Sequence, residues 1–142
     1  MNTVYSVNDI QVDGSKSTPT TDSYGTIRWR LPNGELHRLD GPAIERSDGS
    51  KFWYQNDVLH RVDGPAVEWF DGDKSWYKNG KNHREDGPAI EWPDGSKFWY
   101  QNDVLHRVDG PAVERSNGDK EWWVNGHELM EEQFNRGTNV SV

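Results

Sequence analysis

The chain has 142 residues, the size of one ordinary domain, but only 32% of them are hydrophobic, and eight Trp, five Tyr and four Phe must supply much of any core. The net charge of -8 argues against binding to duplex nucleic acid or to an anionic membrane through charge alone. Cysteine is absent, which excludes disulfides and thiolate chemistry.

Residues 1–23, rich in Ser, Thr, Asp and Asn, are predicted to form a tail or one edge strand. The start of the chain has neither a basic segment nor an apolar run, and nowhere do about eighteen apolar residues follow one another. We therefore expect a cytoplasmic protein without a membrane span.

Residues 24–129 form a repeat array. The motif His-Arg-x-Asp-Gly-Pro-Ala occurs four times at a spacing of 23 residues, beginning at His37, His60, His83 and His106. The same 23-residue spacing separates the members of two adjacent aromatic columns. The first is Trp53, Trp76, Trp99 and Trp122, and the second, one residue later, is Tyr54, Tyr77, Tyr100 and Trp123. Such self-similarity indicates tandem copies of one supersecondary unit.

Each unit reads as short strands joined by tight turns. Asn-Gly and Asp-Gly pairs, which accept the positive φ angles of primed turns, separate runs rich in Trp, Tyr, Val and Ile. The segment 74–77 should pair back through Asn79-Gly80 to His83, and the corner at Pro88 should lead into the next strand. The sequence predicts an all-β, elongated, single-layer antiparallel sheet of tandem hairpins.

Strand alternation assigns side chains to the two faces. The position occupied by Ser75, and by Phe52 and Phe98 in sister units, is predicted to face water, whereas the tryptophan column faces the packed side. The tyrosines share the Ser75 face and form a predicted half-exposed strip. The first unit looks degenerate, because Trp29 is displaced by one position from the tryptophan column.

Residues 130–142 are predicted to form a capping helix and a tail. Leu129, Met130, Gln133 and Phe134 recur at helical spacing, and Gly137 is a suitable stop. A helix here would cover the last open edge of the sheet, which otherwise invites aggregation.

The segment from Tyr77 through Gly80 to His83, followed by Asp-Gly-Pro and Asp94-Gly95, resembles the MORN repeat (membrane occupation and recognition nexus) in a variant form. The resemblance covers about residues 24–129 and implies a single-layer sheet built from one hairpin per repeat. It departs from the usual motif where arginine follows each histidine. Arrays of this type are similar to those in uncharacterised proteins of phages, giant viruses and bacteria, which implies fold more securely than function.

The four motif histidines are predicted to be structural. Equivalent side chains two strands apart lie about 10 Å from one another, too far to share a zinc ion whose ligands lie at about 2 Å. The carboxylates Asp40, Asp63, Asp86 and Asp109 each precede a turn glycine and are expected to bond their own backbone. A flat repeated surface lacks the enclosed pocket that catalysis needs, so we expect no enzyme, metal or cofactor.

The arginine column leaves two alternatives. Arg61, Arg84 and Arg107, beside Tyr54, Tyr77 and Tyr100, could bind a nucleotide or another phosphorylated ligand through stacking and ionic contacts. Alternatively, each arginine, including Arg38, pairs with a neighbouring acid. These tyrosines and arginines are the candidate binding residues, while Trp53, Trp76, Trp99 and Trp122 are predicted to be structural.

The leading functional hypothesis is a non-catalytic protein-interaction module whose partner is a protein or a second copy of the chain. In a phage, the resemblance would make a host defence protein in the host cytoplasm a conceivable partner. The alternative is a protein that sequesters a nucleotide. Phospholipid binding is disfavoured by the acidic charge.

Overall fold

The computed structural model describes residues 16–137. They form an elongated antiparallel sheet of successive hairpins with one short C-terminal helix, which confirms the predicted fold class. The elements are β1 (Thr18–Thr21), β2 (Ile27–Arg30), β3 (Ile44–Glu45), β4 (Lys51–Phe52), β5 (Tyr54–Gln55), β6 (Val58–Leu59), β7 (Val67–Glu68), β8 (Lys74–Ser75), β9 (Tyr77–Lys78), β10 (Lys81–Asn82), β11 (Ile90–Glu91), β12 (Lys97–Phe98), β13 (Tyr100–Gln101), β14 (Val104–Leu105), β15 (Val113–Glu114), β16 (Lys120–Val124), β17 (His127–Leu129) and α1 (Glu131–Arg136).

Eleven of these strands form one sheet in the order β1-β2-β3-β4-β7-β8-β11-β12-β15-β16-β17. The other six form three short hairpins, β5–β6, β9–β10 and β13–β14. Each hairpin prolongs the preceding strand of the main sheet beyond a tryptophan, as β5 prolongs β4 beyond Trp53. One unit therefore contributes two strands to the main sheet and one hairpin at its side.

The hairpins and the main sheet use different turns. Asn79 and Gly80, with φ of 52° and 81°, both adopt the left-handed conformation, as a primed turn requires, and this confirms the prediction for these turns. At the Asp-Gly turns, only the glycine has a positive φ, 96° at Gly49, and Arg46 and Ser50 close a three-residue loop. The prediction of primed Asp-Gly turns is wrong, because this loop needs a single left-handed residue.

The main sheet has a charged face and an apolar face. Glutamates and lysines alternate across the charged face, for example Glu68 opposite Lys74, and apolar residues alternate across the other, for example Phe52 opposite Val67. Phe52 and Phe98 are only 8% exposed. The prediction that their position faces water is therefore wrong, because aromatic side chains from the loops of the neighbouring strands cover both rings.

The first unit is more regular than its sequence indicates. The N–H of Trp29 donates to the carbonyl of Ala43 at 2.8 Å, as the N–H of Trp53 donates to the carbonyl of Ala66 at 2.7 Å. Trp29 thus occupies the tryptophan column, which corrects the predicted displacement. The offset arises because the loop from Trp29 to His37 is one residue longer than its counterparts.

The two ends of the sheet differ. Strand β1 pairs with β2 and is exposed throughout, and the rest of the predicted N-terminal segment before residue 16 lies outside the described residues, as do residues 138–142. At the other end, α1 contacts β16, where the rings of Trp122 and Phe134 lie 6.5 Å apart. Within residues 16–137, no helix has the length and apolar character needed to cross a membrane.

Phe134 packs on Trp122. This tryptophan has no motif arginine of its own, because Met130 stands at the corresponding position, 23 residues after Arg107. We expect Phe134→Ala to destabilise the C-terminal end by about 1–2 kcal/mol, since the ring is half-buried. Hydrogen exchange should accelerate at the amides of β16 and remain unchanged at β2. Glu132→Ala, an exposed substitution on the same helix, is the control, and equal exchange in both variants would contradict the capping role.

Candidate functional site

The arginine column is the structural centre of the array. Each motif arginine places its guanidinium over the tryptophan ring of its own unit, with the guanidinium carbon about 4 Å from the ring centroid. The four pairs are Arg38–Trp29 at 4.1 Å, Arg61–Trp53 at 3.9 Å, Arg84–Trp76 at 4.0 Å and Arg107–Trp99 at 3.9 Å.

Arg61 shows why the motif has its composition. Its Nε donates to Asp63 at 3.1 Å, and its Nη1 donates both to the carbonyl of Pro65 at 3.0 Å and to Glu68 at 3.2 Å. A Cβ added to Gly64 would lie 2.7 Å from the guanidinium carbon, so only glycine fits on that side. The guanidinium is therefore enclosed by an indole, a glycine and three acceptors. The other three arginines repeat all these contacts.

This geometry bears on two sets of predicted residues. The aspartates that precede the corner glycines accept a hydrogen bond from arginine, which corrects the expectation that they bond their own backbone. Arg61, Arg84 and Arg107 have side chains only 21–23% exposed and acceptors already in place. A phosphate would have to displace those acceptors, and a binding role for these arginines stays a prediction.

The motif histidines link consecutive units. The Nδ1 atom of each accepts the backbone N–H of an asparagine in the next hairpin turn, which places the ring proton on Nε2. The bonds are Asn56 to His37 at 3.1 Å, Asn79 to His60 at 2.9 Å, Asn102 to His83 at 3.1 Å and Asn125 to His106 at 2.9 Å. Among residues 16–137, no group of three or more His, Asp or Glu side chains could hold a metal ion.

The predicted tyrosine strip belongs to the side hairpins. Tyr54, Tyr77 and Tyr100 are half-buried and lie opposite Leu59, Asn82 and Leu105. Their carbonyls accept the N–H of the motif arginine in the preceding unit, at 3.1–3.2 Å. The tyrosines thus help to join the units, and whether they also bind a partner stays a prediction.

More exposed aromatic residues lie at the opposite end of the two central units. The loops 46–50, 69–73, 92–96 and 115–119 follow one another along one long edge of the main sheet, which we call the turn edge. Here Trp69, Phe70 and Trp92 are 39%, 67% and 43% exposed. Sequence reasoning missed this cluster, although a signal existed: these loops are where the units differ most, with Trp-Phe and Trp-Pro between two Arg-Ser pairs.

The exposed indoles are held in place from one side. The Trp69 ring packs edge-on against Phe52 at 5.1 Å, and the Trp92 ring packs against Phe98 at 4.7 Å. The Arg46 guanidinium lies 5.4 Å from the Trp69 ring on the same side as Phe52. The two central loops therefore present supported, half-exposed indoles rather than free side chains.

The turn edge is acidic at its centre. A hydrogen bond from the backbone N–H of Ser96 is the largest cause of the lowered pKa of Asp94, so this carboxylate stays ionised. Burial, followed by the neighbouring charge of Asp71, raises the pKa of Asp73. The two central loops contain these three carboxylates and no basic residue.

Shallow grooves separate successive motif corners on the other edge. One has a volume of about 380 Å³ and is lined by Arg84, Asp86, Trp99, His106 and Asp109, among others. An equivalent groove of about 430 Å³ lies between the corners at Arg38 and Asp63. Their polar groups are mainly those that hold the repeats together.

No protein-family model matches the chain, and no curated protein sequence is significantly similar to it.

Replacing Arg61 by Lys should destabilise the protein by about 1–3 kcal/mol, because lysine keeps the charge but loses the planar stack and the forked contacts to Asp63 and Pro65. Urea unfolding monitored by tryptophan fluorescence measures the change. The matched control is Arg46→Lys, since the Arg46 side chain contacts rings but forms no hydrogen bond or ion pair within the described part of the chain. Equal losses in both variants would refute the special role of the motif arginine.

Proposed function

We propose that this protein is a non-catalytic protein-interaction module that binds its partner through the turn edge. One observation carries the proposal: Trp69, Phe70 and Trp92 are exposed together on this edge. Large aromatic side chains are enriched at interfaces and dominate their binding energy when a partner covers them. In this protein they lie outside the contacts that hold the motif corners together.

The distribution of constant and variable positions among the units supports the same surface. The His-Arg-x-Asp-Gly-Pro-Ala corner is the same in all four copies, and its polar groups form the contacts that join and stabilise the units. The turn edge varies, with Trp-containing loops in the two central units and Arg-Ser loops on either side of them. Repeat proteins need their constant positions for stacking, so a binding surface is expected where exposed positions vary.

A non-catalytic role is supported by the chemistry of the repeated groups. The motif arginines, histidines and aspartates are bonded to one another, to backbone groups or to glutamates. A catalytic acid, base or nucleophile instead needs a free face toward a substrate in a water-excluding pocket. The corner grooves are open and recur along the edge, which fits a scaffold better than a reaction site.

The two other hypotheses have weaker support. A nucleotide held by Arg61, Arg84 and Arg107 would compete with acceptors that already satisfy each guanidinium. An anionic lipid surface would meet the carboxylates of Asp71 and Asp94 beside the exposed indoles. The MORN-variant assignment and a viral or host setting rest on the resemblance of the repeat motif.

The sister loops provide matched variants that test the turn edge. Trp69→Arg combined with Phe70→Ser converts one central loop into the Arg-Ser form found at residues 46 and 115, which the same fold accommodates. We expect this double variant to keep its circular dichroism spectrum and to bind a purified partner, identified beforehand by affinity capture, at least about tenfold more weakly by calorimetry.

The control is Val62→Ala with Val108→Ala, which truncates two exposed apolar side chains on the motif corners. If the corner variant loses binding and the turn-edge variant does not, the proposed surface is wrong. Light scattering of the unliganded protein tests the alternative occupant: a dimer that the turn-edge variant converts to monomer would assign the surface to a second copy of the chain.

A further inference from the structure

Asp73 lies between the two exposed indoles of the turn edge. Trp69 follows β7, Asp73 precedes β8 and Trp92 follows β11, and these three strands are neighbours in the main sheet. The N–H of Trp69 donates to the carbonyl of Asp73 at 2.9 Å, which closes the loop. Val67 and Ile90 both lie opposite Ser75. Trp69, Asp73 and Trp92 each lie two residues from one of these positions, toward the turn edge, and therefore share the same face of the sheet.

The two serines at the repeat position of Asp73, Ser50 and Ser96, each hold the next loop. The Oγ of Ser50 accepts the backbone N–H of Phe70 at 3.0 Å, and the Oγ of Ser96 accepts the backbone N–H of Ser116 at 3.0 Å. The residue that should donate to Asp73 is Pro93, which has no N–H. Within residues 16–137, the Asp73 carboxylate forms no hydrogen bond and no ion pair.

No basic side chain among the described residues compensates the charge of Asp73. Its side chain is partly buried, and burial followed by the Asp71 charge raises its pKa. The adjacent Lys74 points to the opposite face, where it lies across from Glu68 and Glu91. A partly buried carboxylate with no donor and no nearby cation destabilises the free protein, and an external cation would remove that penalty.

The space above Ser75 suits a flat cation. This position is Phe52 and Phe98 in sister units, and the two indoles pack outward against those phenyl rings, away from Ser75. Strands two apart are separated by about 10 Å. In the arginine column, the guanidinium lies roughly 4 Å from the indole. A gap of about 10 Å exceeds twice that distance, so a guanidinium fits between the two indoles.

We propose that Trp69, Asp73 and Trp92 form a receptor for an arginine side chain of a protein partner. The inference rests on the proposed function and specifies the chemistry of the partner. The array supplies a template for the contact, because Arg46 lies over the rings of Phe52 and Trp69, and Arg115 lies over Phe98. The acidic central loops complement a basic segment, and indole faces attract guanidinium.

The test uses the peptide acetyl-Gly-Arg-Gly-amide and the full chain labelled with ¹³C and ¹⁵N. We expect the peptide to shift the indole N–H signals of Trp69 and Trp92 and to move the titration of the Asp73 carboxylate to lower pH. The control peptide contains citrulline, which has the shape of arginine without its charge, and should bind at least about tenfold more weakly. Equal binding of both peptides would overturn the proposal.

Three variants locate the site. Asp73→Ser introduces the sister residue and should abolish binding of the arginine peptide. Pro93→Ser restores the missing N–H donor, as at Ser116, and should satisfy Asp73 internally and weaken binding several-fold. Asp119→Ser removes a carboxylate at the same repeat position, next to Arg115 instead of an indole, and should leave binding unchanged.

The outcomes separate this inference from the proposed function. If Asp73→Ser retains binding of the arginine peptide, the receptor is wrong. If, in addition, the Trp69 and Phe70 double variant loses the protein partner, the interaction module stands without it. If the arginine peptide binds as expected and the turn-edge double variant keeps full affinity for the purified partner, both the proposed function and a partner role for the receptor fail.

Discussion

The stacking of a motif arginine on a tryptophan is the interaction on which the rest of the structure depends. A single-layer sheet has no second layer to cover its side chains, so each unit must cover its own tryptophan. The arginine does this with its flat guanidinium, at 3.9–4.1 Å from the ring centroid. Placing a cation there requires acceptors, which the motif aspartate, the proline carbonyl and a glutamate of the next strand supply.

The same constraint explains how the array continues and how it ends. Each arginine is fixed within its own unit, so joining units requires separate contacts. The histidine Nδ1 provides one in every copy, and the carbonyl of the aromatic residue after the column tryptophan, a tyrosine in three copies and Trp123 in the last, provides the other. At the last unit the chain has Met130 where a fifth arginine would stand, and Phe134 of the helix packs on Trp122 instead. The cap is thus a ring in place of a cation, at the position where the repeat ends.

Much of the fold could be predicted from the sequence because its determinants are local and repeated. The 23-residue spacing, the Asn-Gly turns and the helical spacing near Phe134 each report short-range structure. The covered face could not be predicted, because Phe52 is buried by Trp69, which follows a neighbouring strand. Strand alternation indicates which residues share a face of the sheet. It does not indicate which face is covered, because the covering rings belong to loops, whose side-chain directions follow no simple sequence period.

The candidate site could not be predicted for a related reason. A repeat is recognised by its constant positions, whereas the turn edge consists of positions at which the units differ in sequence. Asp73 and Pro93 are the most informative departures, because they replace both partners of one hydrogen bond between units. Serine with an N–H donor satisfies that contact in two sister units, so stability alone would retain it. A partly buried carboxylate in place of serine, with its N–H donor lost, destabilises the region between the two exposed indoles. Stacking of the repeats does not explain this cost, and binding a cation would offset it.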